Sequence, residues 1–340
     1  MKSSRTGSNR SVLVTGWSGF VGRHVIRALL ARGYRVIATH ADPPGKVPAA
    51  GTRLRWVRWD GTRTPLPRVA WNKLDAIIHL AVPGALFAFP DNAAALYELE
   101  ISGTFRLLEA ARRYRLRRVL IASTSYVLGT MFRRHRETDC SYRPSTFYGT
   151  TKACAELIAR AYEGVVSTAV VRFYWPYGPG GDRYLIQRLL RNVADGKEVF
   201  VEGRNGMVLN PVWVEDLADG MVRALESNVT GIFHLAGPET LTLRQLINRM
   251  GRVLGRRPVI RVKPASLNVN QAADYRWTMK TLGYKPRMRL DDGLRLLANQ
   301  PALCRSYISR VVGRAGPPGQ PQGHNNTARP AVAPYPHIQV

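Results

Sequence analysis

Tyr148 and Lys152 stand four residues apart in the run Tyr148-Gly149-Thr150-Thr151-Lys152. On a helix that spacing puts both side chains on one face, one turn apart. A free phenol has a pKa of about 10 and is a poor acid or base near neutrality. An ammonium beside it favours the phenolate. The pair therefore reads as a proton-transfer couple, with Tyr148 exchanging a hydroxyl proton and Lys152 supporting it. Such a pair arises often by chance, and its weight comes from what precedes it. The apolar run from Val119 closes on three hydroxyls, Ser123, Thr124 and Ser125. Near the start, Thr15-Gly16-Trp17-Ser18-Gly19-Phe20-Val21-Gly22 spaces three glycines three apart. Gly16 permits a tight turn, Gly19 a close backbone approach to a pyrophosphate, and Gly22 close packing of helix on strand. The N–H groups opening the next helix then face the anion.

These residues need a scaffold, and the hydrophobic pattern supplies one. Residues 11–15 read as a short buried strand, followed by a helix over 23–32 that Gly33 stops. Strands are expected at 34–39, 54–59, 75–81, 118–123 and 168–174, with helices at about 93–114 and 152–162. Strands alternating with helices at this spacing predict an α/β, doubly wound parallel sheet. Beyond about residue 176 the pattern loosens. A helix is expected over 183–194, short strands at 212–214 and 232–235, and an amphipathic helix over 242–254 opening on a Thr242/Gln245 capping box. The stretch from about Gly313, rich in Gly, Pro, Gln and Asn, is expected to be a flexible tail.

With its glycine trio, hydroxyl strand and Tyr148/Lys152 pair, the chain resembles the extended short-chain dehydrogenase/reductases, the NAD-dependent epimerase/dehydratase family, over about residues 11–300. The resemblance implies a Rossmann domain over 11–175, with 207–237 returning to it. It also implies a smaller C-terminal substrate lobe over 176–206 and 238–304, leaving 305–340 as the tail. It assigns catalysis to Tyr148, Lys152 and Thr124, with Ser123 and Ser125 as alternative hydroxyls. Thr124 would orient the substrate oxygen beside Tyr148, and Lys152 would also hold the nicotinamide ribose. Cofactor contacts fall on Gly16, Trp17, Ser18, Gly19, Phe20, Val21, Gly22, His40, Asp60, Gly61, Leu80, Ala81, Val82, Ser123 and Phe173, besides Tyr148 and Lys152. The position that usually carries the ribose-binding carboxylate holds His40, with Asp42 two residues on, so NAD and NADP both remain open. His79 reads as a satisfied core histidine.

The chain also departs from the family. Ser125 and Tyr126 replace the Asp-Glu pair of the dehydratases, which disfavours elimination of water. Trp175 replaces an Asn that touches substrate, Leu209 an arginine that grips phosphates, and Glu100 an Asn in the helix before Gly103. Ser125, Trp175 and Arg183 are the candidate substrate contacts, with Arg204 a further candidate for phosphate. The expected activity is oxidation or reduction of a secondary alcohol or ketone, foremost as a nucleotide-sugar epimerase or reductase. An NADPH-dependent reductase of a non-sugar ketone or aldehyde is the alternative. A non-catalytic dinucleotide sensor or nucleic-acid-docking protein is the reading from another class.

Composition bounds these readings. The chain has 340 residues, 45% of them hydrophobic and 21% charged, which is ordinary globular material. Its net charge of +27 is unusual and raises polyanionic partners. The excess is diffuse, however: residues 1–150 carry 24 basic against 9 acidic side chains, and residues 151–340 carry 26 against 14. It is also mostly arginine, 42 against 8 lysines. Nucleic acid is thus not the expected partner, and the cluster Arg112, Arg113, Arg115, Arg117 and Arg118 reads as a solvated helix end. Arg133, Arg134 and Arg136, just ahead of the Tyr148 helix, are candidates for anion capture. Three cysteines, Cys140, Cys154 and Cys304, show no metal-ligand spacing and fit a reducing compartment. No apolar run has the length of a membrane span. A cytoplasmic protein without a metal is expected, with a homodimer implied by the resemblance alone.

Overall fold

The computed structural model describes residues 10–41, 51–84, 86–129, 133–264 and 270–300. Within them the chain runs β1 (Ser11–Thr15), α1 (Phe20–Ala31), β2 (Arg35–His40), β3 (Leu54–Arg58), β4 (Ala76–His79), α2 (Ala93–Leu96), α3 (Gly103–Arg113), β5 (Arg118–Thr124), α4 (Phe147–Ala161) and β6 (Thr168–Phe173). It continues with β7 (Pro176–Tyr177), α5 (Leu185–Ala194), β8 (Glu198–Glu202), β9 (Val208–Leu209), β10 (Val212–Trp213), α6 (Val214–Glu226) and β11 (Gly231–Leu235). Last come β12 (Leu241–Thr242), α7 (Leu243–Leu254), β13 (Val259–Lys263), α8 (Arg276–Leu282) and α9 (Leu290–Ala298).

Seven strands form one parallel sheet in the order β11-β6-β5-β4-β1-β2-β3. The chain builds outward from β1 to β3, then returns to β4 on the other side of β1. That reversal opens a crevice at the carboxyl ends of β1 and β4, where open α/β sheets bind ligands. Central strands are buried on both faces: every residue of β4 and β5 is inaccessible, as a parallel sheet covered by helices requires. On one face α1 and α6 pack with Val25, Leu29, Met221 and Leu225; on the other α3 and α4 pack with Leu107, Leu108 and Ala159.

A second apolar core lies in the later part of the chain. Ile186, Leu189 and Leu190 of α5 meet Leu246, Ile247 and Met250 of α7 and Leu294 of α9. The capping box at Thr242 and Gln245 opens α7 as expected, each side chain bonding the other's backbone N–H. Leu282 and Tyr284 belong to the core of the seven-stranded sheet, so the chain also returns there after α8.

Several elements differ from the sequence expectation. Helix α1 begins at Phe20, not Arg23, because Gly19 is itself the cap residue and the loop ends there. Helix α4 begins at Phe147, not Lys152: the Thr146 hydroxyl accepts the Gly149 N–H at 3.0 Å. The expected single helix over 93–114 is interrupted by a π-helical turn at Tyr97–Ser102. Val214 opens α6 instead of ending a strand, and Glu215 and Asp216 in its first turn suit the helix dipole. Arg118 is fully buried, not solvated: it donates to the carbonyls of Ala224 and Val229 and to Ser167. Arg117 is partly buried and donates to the Leu225 carbonyl. Both arginines join β5 to the α6–β11 connection. Asp42, Cys304 and the tail expected beyond Gly313 lie outside the described residues.

Candidate active site

The glycine loop sits over the crevice between β1 and β4. Gly16 holds φ +77°, and a Cβ there would lie 2.6 Å from the Ala81 backbone. A Cβ on Gly22 would lie 2.2 Å from the Gly16 carbonyl oxygen. These two glycines let the loop fold back against α1 and against the turn after β4. Gly19 differs: only the Gly16 oxygen, at 3.2 Å, lies near its would-be Cβ, so its outer side is open. The α1 N-terminus has no side-chain cap and no acid in its first turn. Free N–H groups, an open glycine and no competing carboxylate fit a pyrophosphate.

Thr15 ties this loop to the neighbouring strand. Its hydroxyl accepts the N–H groups of Leu80 and Ala81 at 3.2 and 3.1 Å and so donates its proton to Nδ1 of His79 at 2.7 Å. His79 is thereby the neutral Nε2-protonated tautomer, and burial lowers its pKa to about 3. It is a structural histidine that sets the turn carrying Leu80, Ala81 and Val82. Asp60, beyond β3, accepts both the N–H and the hydroxyl of Thr62, so its carboxylate holds its own turn. His40 closes β2, its carbonyl accepting the Trp59 N–H. Trp17 packs at a tilt against Trp56 of β3 with ring centroids 4.4 Å apart.

The residues expected to transfer protons meet at the carboxyl end of β5. Thr124 ends that strand, and Tyr148 lies in the first turn of α4, which packs against it. The Thr124 side chain faces the Tyr148 phenol and favours its ionised form. Burial dominates, however, and holds the phenol well above its ordinary pKa; the charge of Glu100 pushes in the same direction. Lys152, 2% exposed, donates to the Ala122 carbonyl at 2.9 Å. Its ammonium lies 2.7 Å from a carboxylate oxygen of Glu100, which is fully buried. Ser123 is turned elsewhere: its hydroxyl donates to Glu156, which Arg172 grips with two bonds at 2.9 and 2.7 Å. Thr124, not Ser123, therefore presents the hydroxyl at Tyr148. Ser125 is buried just beyond.

Aromatic rings wall this corner. Tyr126 lies 6.2 Å from Tyr148 and 6.1 Å from Trp175, centroid to centroid, and Phe87 lies 5.6 and 5.8 Å from Tyr126 and Tyr148. Phe87 and the positioning role of Glu156 were not found from the sequence, since nothing local marks either. Trp175 holds φ +52° and donates its indole N–H to the Gln271 carbonyl. Phe173 ends β6, and Arg183 is exposed in the loop before α5, whose Tyr184 packs at a tilt against Phe20. Leu209 is buried in the second core and Arg204 is exposed. Arg133, Arg134 and Arg136 join Arg276 around a pocket of about 530 Å³ that none of Thr124, Tyr148 and Lys152 lines. There Arg133 pairs with Asp139 and Arg276 with Asp274. Among the described residues no His, Cys, Asp or Glu group could hold a metal, and no helix is long and apolar enough to cross a membrane.

Comparison with known proteins places this geometry. A model of the NAD dependent epimerase/dehydratase family matches residues 12–236. A UDP-glucuronate 4-epimerase of Thermodesulfobacterium geofontis is 25% identical, the match covering 84% of this chain and 94% of that protein. UDP-glucuronic acid decarboxylase 1 of Arabidopsis thaliana is 25% identical over 88% of this chain and 70% of its own length. Among solved structures, MoeE5 in complex with UDP-glucuronic acid and NAD superposes with a TM-score of 0.72 at 26% identity, over 87% of this chain and 99% of that one.

Proposed function

The chain belongs to the NAD-dependent epimerase/dehydratase family, and from that premise we propose that it is an NAD-dependent nucleotide-sugar epimerase that oxidises and re-reduces one sugar carbon. The observation that carries the reading is the meeting of Thr124, Tyr148 and Lys152 at the β5 end, beside a glycine loop open to a pyrophosphate. The relatives named above act on UDP-glucuronate or are bound to UDP-glucuronic acid and NAD, which favours a UDP-hexuronate and NAD here. Residues 11–175 with 207–237 form the cofactor lobe in this proposal, and 176–206 with 238–304 the substrate lobe.

Bound NAD supplies the acceptor and donor of hydride. The protein's part is proton handling and placement. Thr124 holds the substrate hydroxyl in line with Tyr148, which is neutral at rest and, once ionised, removes that proton and later returns it. Lys152, with one N–H committed to Ala122 and one facing Glu100, keeps a third for the nicotinamide ribose. The aromatic wall of Phe87, Tyr126 and Trp175 narrows the corner and limits water around the transferring proton. The diffuse positive charge favours an anionic substrate. A homodimer through the α3/α4 face is part of the proposal, supported by exposed Phe105 and Leu157 there. So is a cytoplasmic location, supported by the free thiols Cys140 and Cys154.

Replacing Tyr148 by Phe tests the site. The variant is expected to retain NAD as the parent does and to lose turnover of UDP-sugars. Full activity in that variant would overturn the assignment.

A further inference from the structure

We propose that Glu100 is a positioning residue that acts through Lys152: as the buried counter-ion of the ammonium, it cancels the charge that would assist ionisation of Tyr148 and keeps the phenol a proton donor in the resting protein. This rests on the assignment of Tyr148 and Lys152 to proton transfer.

The residue sits in the π-helical turn at Tyr97–Ser102, between α2 and α3. Turns of this kind are rare and frequently lie at functional sites. Here Leu99 and Glu100, adjacent in sequence, are both buried, Glu100 completely. A carboxylate taken out of water needs a partner. Among the described residues the Lys152 ammonium at 2.7 Å is the partner that reaches it, and neither carboxylate oxygen has another hydrogen bond. Lys152 in turn finds only neutral company besides: the Ala122 carbonyl and His79, which burial keeps unprotonated.

The other groups packed around this corner leave the balance unchanged. Tyr126, beyond β5, is neutral, its pKa raised to about 12. Tyr184, ahead of α5, is likewise raised by burial. Glu156, one turn beyond Lys152 on α4, is matched by Arg172 of β6. Glu98 of the π turn pairs with Arg106 at the surface. The buried charges of this corner are thus the Lys152 ammonium and the Glu100 carboxylate, an ion pair that sums to zero; burial raises the Glu100 pKa and the ammonium opposes that shift. A neutral amide at position 100 would leave the ammonium uncancelled, and the phenolate would be favoured.

The test is the titration of Tyr148, read as tyrosinate absorbance of each protein minus that of the same protein carrying Tyr148→Phe. Glu100→Gln is expected to lower the Tyr148 pKa by about one to two units and to move the rising limb of the kcat/KM pH profile down by the same amount. Lys152→Met supplies a second arm that does not need the Glu100 variant to fold. If the pair is neutral as a whole, Glu100 takes up a proton when Lys152 loses its charge, and Tyr148 titrates within about half a unit of the parent. A lone activating ammonium would instead make that variant titrate about one to three units higher. Overlapping titrations of Glu100→Gln and the parent, or an upward shift of that size in Lys152→Met, would overturn the proposal. Full turnover in Tyr148→Phe would instead overturn the underlying site assignment, so the two failures are distinguishable.

Discussion

Tyr148 differs from phenylalanine by one oxygen, and in the proposed function that oxygen carries the proton. Tyr148→Phe should therefore leave the aromatic contacts to Phe87 and Tyr126 in place and lower turnover by about 10²–10⁴-fold. Steady-state rates on a UDP-sugar check this, with thermal melting to show an intact fold. At this scale the sequence was informative where chemistry demands particular residue types: the glycine trio, the Tyr148/Lys152 spacing and the three hydroxyls. It could not say which hydroxyl faces the phenol, because that choice follows from Ser123 being drawn to Glu156, a residue 33 positions later. Trp175 was visible as a departure. Its left-handed backbone at φ +52° was not, since bulky side chains rarely adopt that conformation. An Asn accepts it more readily, which gives a backbone reason for the amide expected there.

The elements around the site are held by buried polar pairs as much as by apolar packing. Glu156 of α4 and Arg172 of β6 are both inaccessible and doubly bonded, fixing the helix that carries Tyr148 against the sheet. Glu156→Ala would strand the guanidinium in the core at a cost of about 3–5 kcal/mol. The unfolding free energy from urea titration measures it, and a loss below about 1 kcal/mol would show that Arg172 finds other support. The alternation of strands and helices was legible because both periodicities are local. The π turn was not, because its cause is tertiary: Glu100 has to reach an ammonium on another helix. Arg117 and Arg118 misled for a related reason. An arginine run resembles a solvated helix end until the α6–β11 connection supplies carbonyls for it.

At the scale of the whole molecule, His79, His135 and His234 stand out among the described residues as deeply buried and uncharged. Burial lowers His79 to about 3, His135 to about 4 and His234 well below its usual value. Their folded pKa values lie below the unfolded value of 6.5, so the unfolded chain binds more protons between the two. Stability is thus full above about pH 6.5 and is lost as pH falls from there toward 4 and 3. The unfolding free energy from urea titration should fall by on the order of a few kcal/mol between about pH 7 and pH 5; a flat dependence would contradict the neutral tautomers. The charge of +27 plays no such specific part. The excess is spread along the chain, mostly as arginine, while the defining geometry lies in the crevice between β1 and β4. In the proposed function this crevice turns over a nucleotide sugar without net redox change. Incubating the purified protein with UDP-glucuronate and resolving the products measures it directly. The expected outcome is a 4-epimer accumulating toward equilibrium with no build-up of reduced nicotinamide and no need for added reductant. Absence of any UDP-sugar turnover, together with stoichiometric NADPH consumption on a simple ketone or aldehyde, would contradict it.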